Sequence, residues 1–217
     1  MKNKELVKRY ILFVLSLFFT AVGIAVTKKG ELGVSPLSSF SNVLCYQFPG
    51  ISFGTWLFLW NMLLLVLQIL ILRKNFRLIQ LLQIPLSVIF GVFTDIGMFI
   101  ASFIYPQVYI HRVLLVVCGM VIIAFGISLA VVANVVMNSG EAFVKAVADT
   151  WKKNFGNVKV AFDVITVAVS ILMSLAFFDF TIVGVREGTI ISAVFTGFIV
   201  KFFNRVLHAP LEKVLTK

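Results

Sequence analysis

The chain has 217 residues, of which 60% are hydrophobic and 23 are Phe, with a mean hydropathy of +1.06. A soluble domain of this length could not bury so much apolar surface, so the main solvent must be lipid. The net charge of +10 does not announce a nucleic-acid partner, because the basic residues are placed as in a membrane protein.

The basic stretch Met1–Arg9 and the apolar run Tyr10–Val26 resemble the start of a signal peptide. Thr27-Lys28-Lys29 follows where a small-residue cleavage site would be needed, so an uncleaved first span is expected over about 10–27. The connector from Gly33 to Phe48-Pro49-Gly50 comes next and has no charged residue. In it Ser35 is an N-cap candidate, with Pro36 at the first helical position. A helix of about three turns there is too short to span, and a buried or re-entrant position is favoured. A second span is expected over about 54–72, with Asn61 inside it.

Arg73, Lys74 and Arg77 precede a third expected span, about 84–104. Asp95 lies in its middle, about ten residues from either end, where a short carboxylate cannot snorkel to water. A fourth span is expected over about 113–135. In the connector Asn138–Trp151, Asn138 with Glu141 three residues on reads as a capping box. Glu141, Lys145 and Asp149 fall at four-residue spacing, so this connector fits a re-entrant helix or an amphipathic one on the inner leaflet. A fifth span, about 159–178, holds Asp163 in its second turn. Asp179, Arg186 and Glu187 mark a solvated boundary before the sixth and shortest span, about 188–204.

Lys and Arg number fifteen in the alternate segments that include both termini and four in the others, Lys28, Lys29, Arg112 and Arg186. That bias sets both termini in the cytoplasm of a multi-pass bacterial inner-membrane protein. Cys45 and Cys118 fall in different halves and apolar surroundings, so buried free thiols are expected rather than a disulfide or a metal pair.

A block of the chain is written twice. Phe53-Gly54, Asn61 and Gln68-Ile69-Leu70 are met 102 positions on by Phe155-Gly156, Asp163 and Ser170-Ile171-Leu172. Val92-Phe93-Thr94 meets Val194-Phe195-Thr196 at the same offset, and Gly23 meets Gly126 one residue further on. Self-similarity at a fixed period fixes the architecture. Six spans split three and three, and an odd number per half inverts the second. The expected fold is an all-α membrane protein of six transmembrane helices in two inverted three-helix repeats, residues 1–110 and 111–217. Each repeat carries one short re-entrant or amphipathic connector helix.

Inverted repeats recur in transporters and channels, with the solute held near the midplane between the halves. Helix N-termini there would suit an anionic or carboxylate-bearing solute. The candidate liners are Ser35, Ser38, Asn42, Asn61, Asp95, Asn134, Glu141 and Asp163. An acid within a span costs about 2.5–3.5 kcal/mol on insertion scales, so Asp95 and Asp163 either line a solute or proton path or pin neighbouring helices. No hydrolase elbow, zinc-protease motif or phosphate loop is present, so neither catalysis nor a cofactor is expected. The expected partners are membrane lipid, a small solute and, as an option, a second copy of the chain. The alternative is a non-transporting accessory or regulatory protein that binds a partner through its basic cytoplasmic face. A polar cavity reaching Asp95 would favour transport, and a dry, packed midplane the alternative.

Several short motifs resemble the bacterial YczE/YyaS/YitT-like integral membrane proteins. Glu31-Leu32-Gly33-Val34-Ser35-Pro36-Leu37-Ser38 is similar to that family's Gly-Leu-Gly-Val-Ser-Pro-Trp-Asp-like stretch, and Ser52-Phe53-Gly54 to the start of its next span. Gly91-Val92-Phe93-Thr94-Asp95 and Glu187-Gly188-Thr189 resemble further family segments. Ala133-Asn134 through Ser139-Gly140-Glu141 stands where the family has a Gly-Pro-Arg-Asp-like turn, and Asp163 takes the place of an acid in the fifth span. Ser38 replaces the family's Asp and Ser139 its second Pro, so a two-carboxylate site is not implied here. The resemblance implies the fold more than a substrate, since the family is chiefly uncharacterised, with members associated with transport or with regulating secondary-metabolite production.

Overall fold

A computed structural model describes residues 3–216, which form helices joined by short loops, with no strand among the described residues. The helices are α1 (Asn3–Lys29), α2 (Pro36–Gln47), α3 (Phe53–Leu72), α4 (Gln83–Ala101), α5 (Tyr109–Ala133), α6 (Ser139–Thr150), α7 (Phe155–Phe177) and α8 (Glu187–Thr216). All except α2 and α6 are long and apolar enough to cross a membrane, which gives six candidate spans. The protein is an all-helical, multi-pass membrane protein.

Local chemistry sets the ends. α2 starts at Pro36, whose missing N–H costs nothing at a first helical position. Ser52 caps α3 by accepting from Thr55 N–H, and Asn154 caps α7 by accepting from Gly156 and Asn157 N–H. Asn134 ends α5 in the left-handed region at φ 48°, a conformation that Asn tolerates. Between α3 and α4 the chain turns at Arg73 and passes two 3₁₀ segments, Arg73–Asn75 and Leu78–Leu82.

Several helix ends differ from the expected spans. α1, α5 and α7 begin earlier, at Asn3, Tyr109 and Phe155 rather than near 10, 113 and 159; α4 ends at Ala101 rather than 104, and α8 continues through Pro210 to Thr216 rather than stopping near 204. The polar and basic residues after 204 extend α8 beyond its apolar run, which hydropathy alone cannot foresee.

α1 lies along α5 and α4, α5 carries α8, and α3 packs on α4. α2 and α6 each wedge against both α3 and α7. α1 and α5 approach closely because small residues face each other. A Cβ on Gly23 would stand 2.7 Å from the Ile123 backbone, and one on Gly119 2.7 Å from Gly23 O. The core joins Phe13, Leu17 and Ile24 of α1 to Phe53 and Leu57 of α3, Phe90 of α4 and Ile123 of α5. Elsewhere, large apolar side chains such as Phe99, Leu172, Phe198 and Phe202 remain exposed on the outer faces, as lipid-facing helices require.

Polar links close both ends. Arg9 Nη2 donates to Glu212 Oε2 at 2.8 Å, Nε to Glu5 Oε1 at 3.0 Å, and Nη1 to the C-terminal carbonyl Val132 O at 3.1 Å. A guanidinium there meets the negative end of α5. At the opposite end Gly188 N–H donates to Leu32 O at 2.7 Å, and Arg112 pairs with Glu31 at 2.9 Å. Cys45 and Cys118 are free thiols but not both buried as expected: Cys45 is half-buried, and Cys118 is exposed on the outer face of α5, where lipid rather than protein covers an apolar side chain.

Candidate functional site

The two short helices meet start to start. Gly140, in the first turn of α6, has no Cβ, and one built there would stand 2.8 Å from both δ carbons of Leu37 in the first turn of α2. Polar residues surround each of these first turns and form two groups.

The first group is built on α2. Ser35, the N-cap, lies 3.0 Å from Ser38 through their hydroxyls. The Ser39 hydroxyl donates to Pro36 O and lies 2.9 Å from that of Ser170 on α7. Asn42 Nδ2 donates to Gly184 O at 2.7 Å, while its Oδ1 is enclosed without a partner. The hydroxyls of Thr189 and Ser192, in the first turns of α8, are likewise enclosed and unpartnered. Gly33 adopts φ +99° beside Thr189, where a side chain would be strained and obstructed.

The second group is built on α6. The capping box does not close: Asn138 Oδ1 accepts from Ser139 N–H at 2.9 Å, and Glu141 Oε2 is enclosed with no partner. Burial pushes the Glu141 carboxyl above its ordinary range, the Lys159 ammonium opposes this, and the Asp163 carboxylate adds to it. Lys159 and Asp163 pair along α7 at 2.5 Å. Beyond Ser139, the Ser87 hydroxyl stands at 3.5 Å, and Gln83 Nε2 donates to Gln68 Oε1 at 3.3 Å. Gln83, Ser87, Asn138 and Ser139 line a cavity of about 10 Å³. That is room for one water.

Asp95 stands apart from both groups and is not central in its span. α4 ends at Ala101, so Asp95 is six residues from that end, level with the start of α3. Its Oδ1 accepts from Gly54 N–H at 2.8 Å and its Oδ2 from the Ser52 hydroxyl at 2.6 Å. The carboxylate therefore neutralises the positive end of α3. Gly54 and Gly91 make this approach possible, since a Cβ on Gly54 would meet both Gly91 O and the Asp95 carboxyl.

Ser35, Ser38 and Asn42 are thus brought together, as are Glu141 and Asp163, and the two sets are linked through Leu37 and Gly140. Asn61 is buried on α3, which both short helices pack against. Asn134 joins neither group: it is exposed at the end of α5, where its backbone conformation explains its presence. The sequence reading missed Gln68, Gln83, Ser87, Ser170 and Thr189. Gln68 and Ser170, which occupy matching places in the two halves, were the available signal.

No characterised protein and no solved structure matches the chain. A family model matches residues 7–205, nearly the whole length, and describes a family of unknown function, DUF6198.

Proposed function

We propose that this chain, which belongs to the family of unknown function DUF6198, is a small-solute transporter or channel of the bacterial inner membrane. In this reading it is neither an enzyme nor dependent on a cofactor. It is built as two inverted three-span repeats, with α2 and α6 as re-entrant helices entering from opposite sides. The resemblance to YczE/YyaS/YitT-like proteins fits this reading.

Reciprocal packing supports the repeat. α1 meets α4 as α5 meets α8, and α2 meets α3 and α7 as α6 meets α7 and α3. The exceptions are that α3 and α4 pack together whereas α7 and α8 form no comparable contact, and that α8 meets α1 and α2 whereas α4 makes no comparable contact with α5 and α6. With both termini inside, Cys at position 29 should label only from outside and Cys at position 75 only from inside. The opposite pattern at either site would remove the inverted arrangement.

The observation that carries the transport reading is the meeting of two helix N-termini at Leu37 and Gly140, amid enclosed polar atoms without partners. Discontinuous helices of this kind present N–H groups and positive dipole ends to an anionic solute. Glu141 and the Lys159–Asp163 pair are the groups to couple a proton or an ion. Stopped-flow light scattering of proteoliposomes tests this, with potassium pyruvate, lactate and succinate as solutes and glycerol as a neutral one. Uptake of a carboxylate well above that of protein-free vesicles is expected; rates equal to empty vesicles for every solute would overturn it.

The tight interior, with about 10 Å³ beside Ser139, favours the second reading of a non-transporting accessory protein. That protein would bind its partner through the basic inner face, and absence of flux with intact folding would select it.

A further inference from the structure

Lys28 is a charged group that the transport reading leaves unused. It is the penultimate residue of α1, yet it turns inward and is only 9% exposed. Its Nζ is enclosed and has no hydrogen-bond partner. The ammonium lies 3.9 Å from the centre of the Phe53 ring and 5.0 Å from that of Tyr46. Two ring faces offset part of the loss of water. They supply no acceptor atoms, and an ammonium carries three donors.

The other groups acting on Lys28 are the Cys45 thiol and the Asp95 carboxylate. Asp95 is the obvious counter-ion, but it is already committed. One oxygen takes the Gly54 N–H and the other the Ser52 hydroxyl, and no ion pair joins it to Lys28. A buried charge lacking hydrogen bonds is costly, so a site that keeps one has reason to complete it with a ligand.

We propose that Lys28 Nζ anchors the carboxylate of a small monoanionic solute with a short apolar body. A neutral ligand would leave the charge uncompensated, and a dianion would be repelled by nearby Asp95. A monocarboxylate supplies acceptor oxygens and one negative charge, and its carbon skeleton lies against Phe53 and Tyr46. Tyr46 is 42% exposed, so a ligand would reach the enclosed ammonium by displacing this ring. The place of this site in a transport cycle rests on the reading above; binding itself does not.

Thermal unfolding of the purified full-length protein in detergent tests the site, with potassium pyruvate as probe and potassium chloride and sulfate as controls. Pyruvate is expected to raise Tm saturably and beyond either control. Lys28→Gln is expected to weaken the apparent affinity about tenfold or more, the loss of a charged hydrogen-bond anchor. No saturable rise, a rise matched by chloride, or an unchanged response in Lys28→Gln would overturn the proposal. Should Lys28→Gln fail to fold, Tyr46→Trp, which retains Lys28, reports directly. Its emission should shift saturably with pyruvate, and no shift overturns the site. Carboxylate flux that persists undiminished in Lys28→Gln liposomes would remove this site while leaving transport standing. Lys28-dependent binding without flux would do the reverse.

Discussion

Leu37 and Gly140 touch, and through them the first turns of two helices from opposite halves of the chain meet. Neither residue is polar, and the contact needs a glycine on one side. A Cβ at 140 would stand 3.4 Å from Leu37 Cγ as well as 2.8 Å from its two δ carbons. The contact holds the first turn of α6 against that of α2.

Cysteines at 37 and 140, with Cys45 and Cys118 replaced by Ser, are therefore expected to be joined by oxidant or by a short bifunctional reagent in native membranes. A Cβ at 140 would stand 3.4 Å from Leu37 Cγ, the position that a cysteine sulfur at 37 would take, which is close enough for a disulfide or a short cross-link. Mass spectrometry of the linked peptides reads the outcome, and no linkage in a folded protein would separate the two helices.

Asp95→Asn should lower unfolding stability by about 1–2 kcal/mol, because an amide cannot accept from Gly54 N–H and Ser52 as a carboxylate does. Gly54→Val should cost more, since its side chain would strike Gly91 O and the carboxyl together. Chemical unfolding in mixed micelles measures both. An Asp95→Leu protein more stable than wild type would contradict the capping role.

The buried Glu141 gives a pH dependence with a defined sign. Its folded-state pKa lies above the ordinary value because burial disfavours the charged form, so the folded state holds the proton more tightly than the unfolded chain. The stability it contributes is full below the ordinary glutamate pKa, about 4.3, and is lost as pH rises through the raised value. Tm of the wild type should therefore fall relative to Glu141→Gln across that window, while the two converge at lower pH. Lys159 and Asp163 are the charged neighbours to hold constant. Parallel Tm curves over the whole range would show that Glu141 stays solvated.

Arg9→Ala should destabilise by about 2–3 kcal/mol, since it strands Glu212 and the terminal carbonyls of α5 together. The figure lies below that of a fully buried pair because the Glu212 side chain is 30% exposed. Glu212→Gln, which keeps an acceptor, should cost about 1 kcal/mol.

Span number and the two short helices were legible because each rests on local chemistry: unbroken apolar runs, Ser35-Pro36 and Asn138 as start signals, and a repeat offset that aligns Asn61 with Asp163. Asp95 was read as central because hydropathy carried the third span to 104. The helix stops at Ala101, and its acid serves the neighbouring α3. That service depends on two glycines, 54 and 91, which lie 37 residues apart and meet only after folding. In the sequence Lys28 reads as a loop charge beside Lys29, and nothing there distinguishes the two. Which of two adjacent lysines turns inward depends on where Phe53 and Tyr46 come to rest.

The Arg9 clamp also bears on synthesis. Arg9 precedes Glu212 by 203 residues, so after α1 is made Arg9 carries an unfinished set of bonds until residue 212 has been synthesised. Only Glu5 is at hand early, and the carbonyl of Val132 follows once α5 has inserted. A chain that stops short of residue 212 leaves a guanidinium and a helix end unsatisfied beside the bilayer, a local defect that membrane proteases can act on. Arrival of α8 is thereby registered on α1.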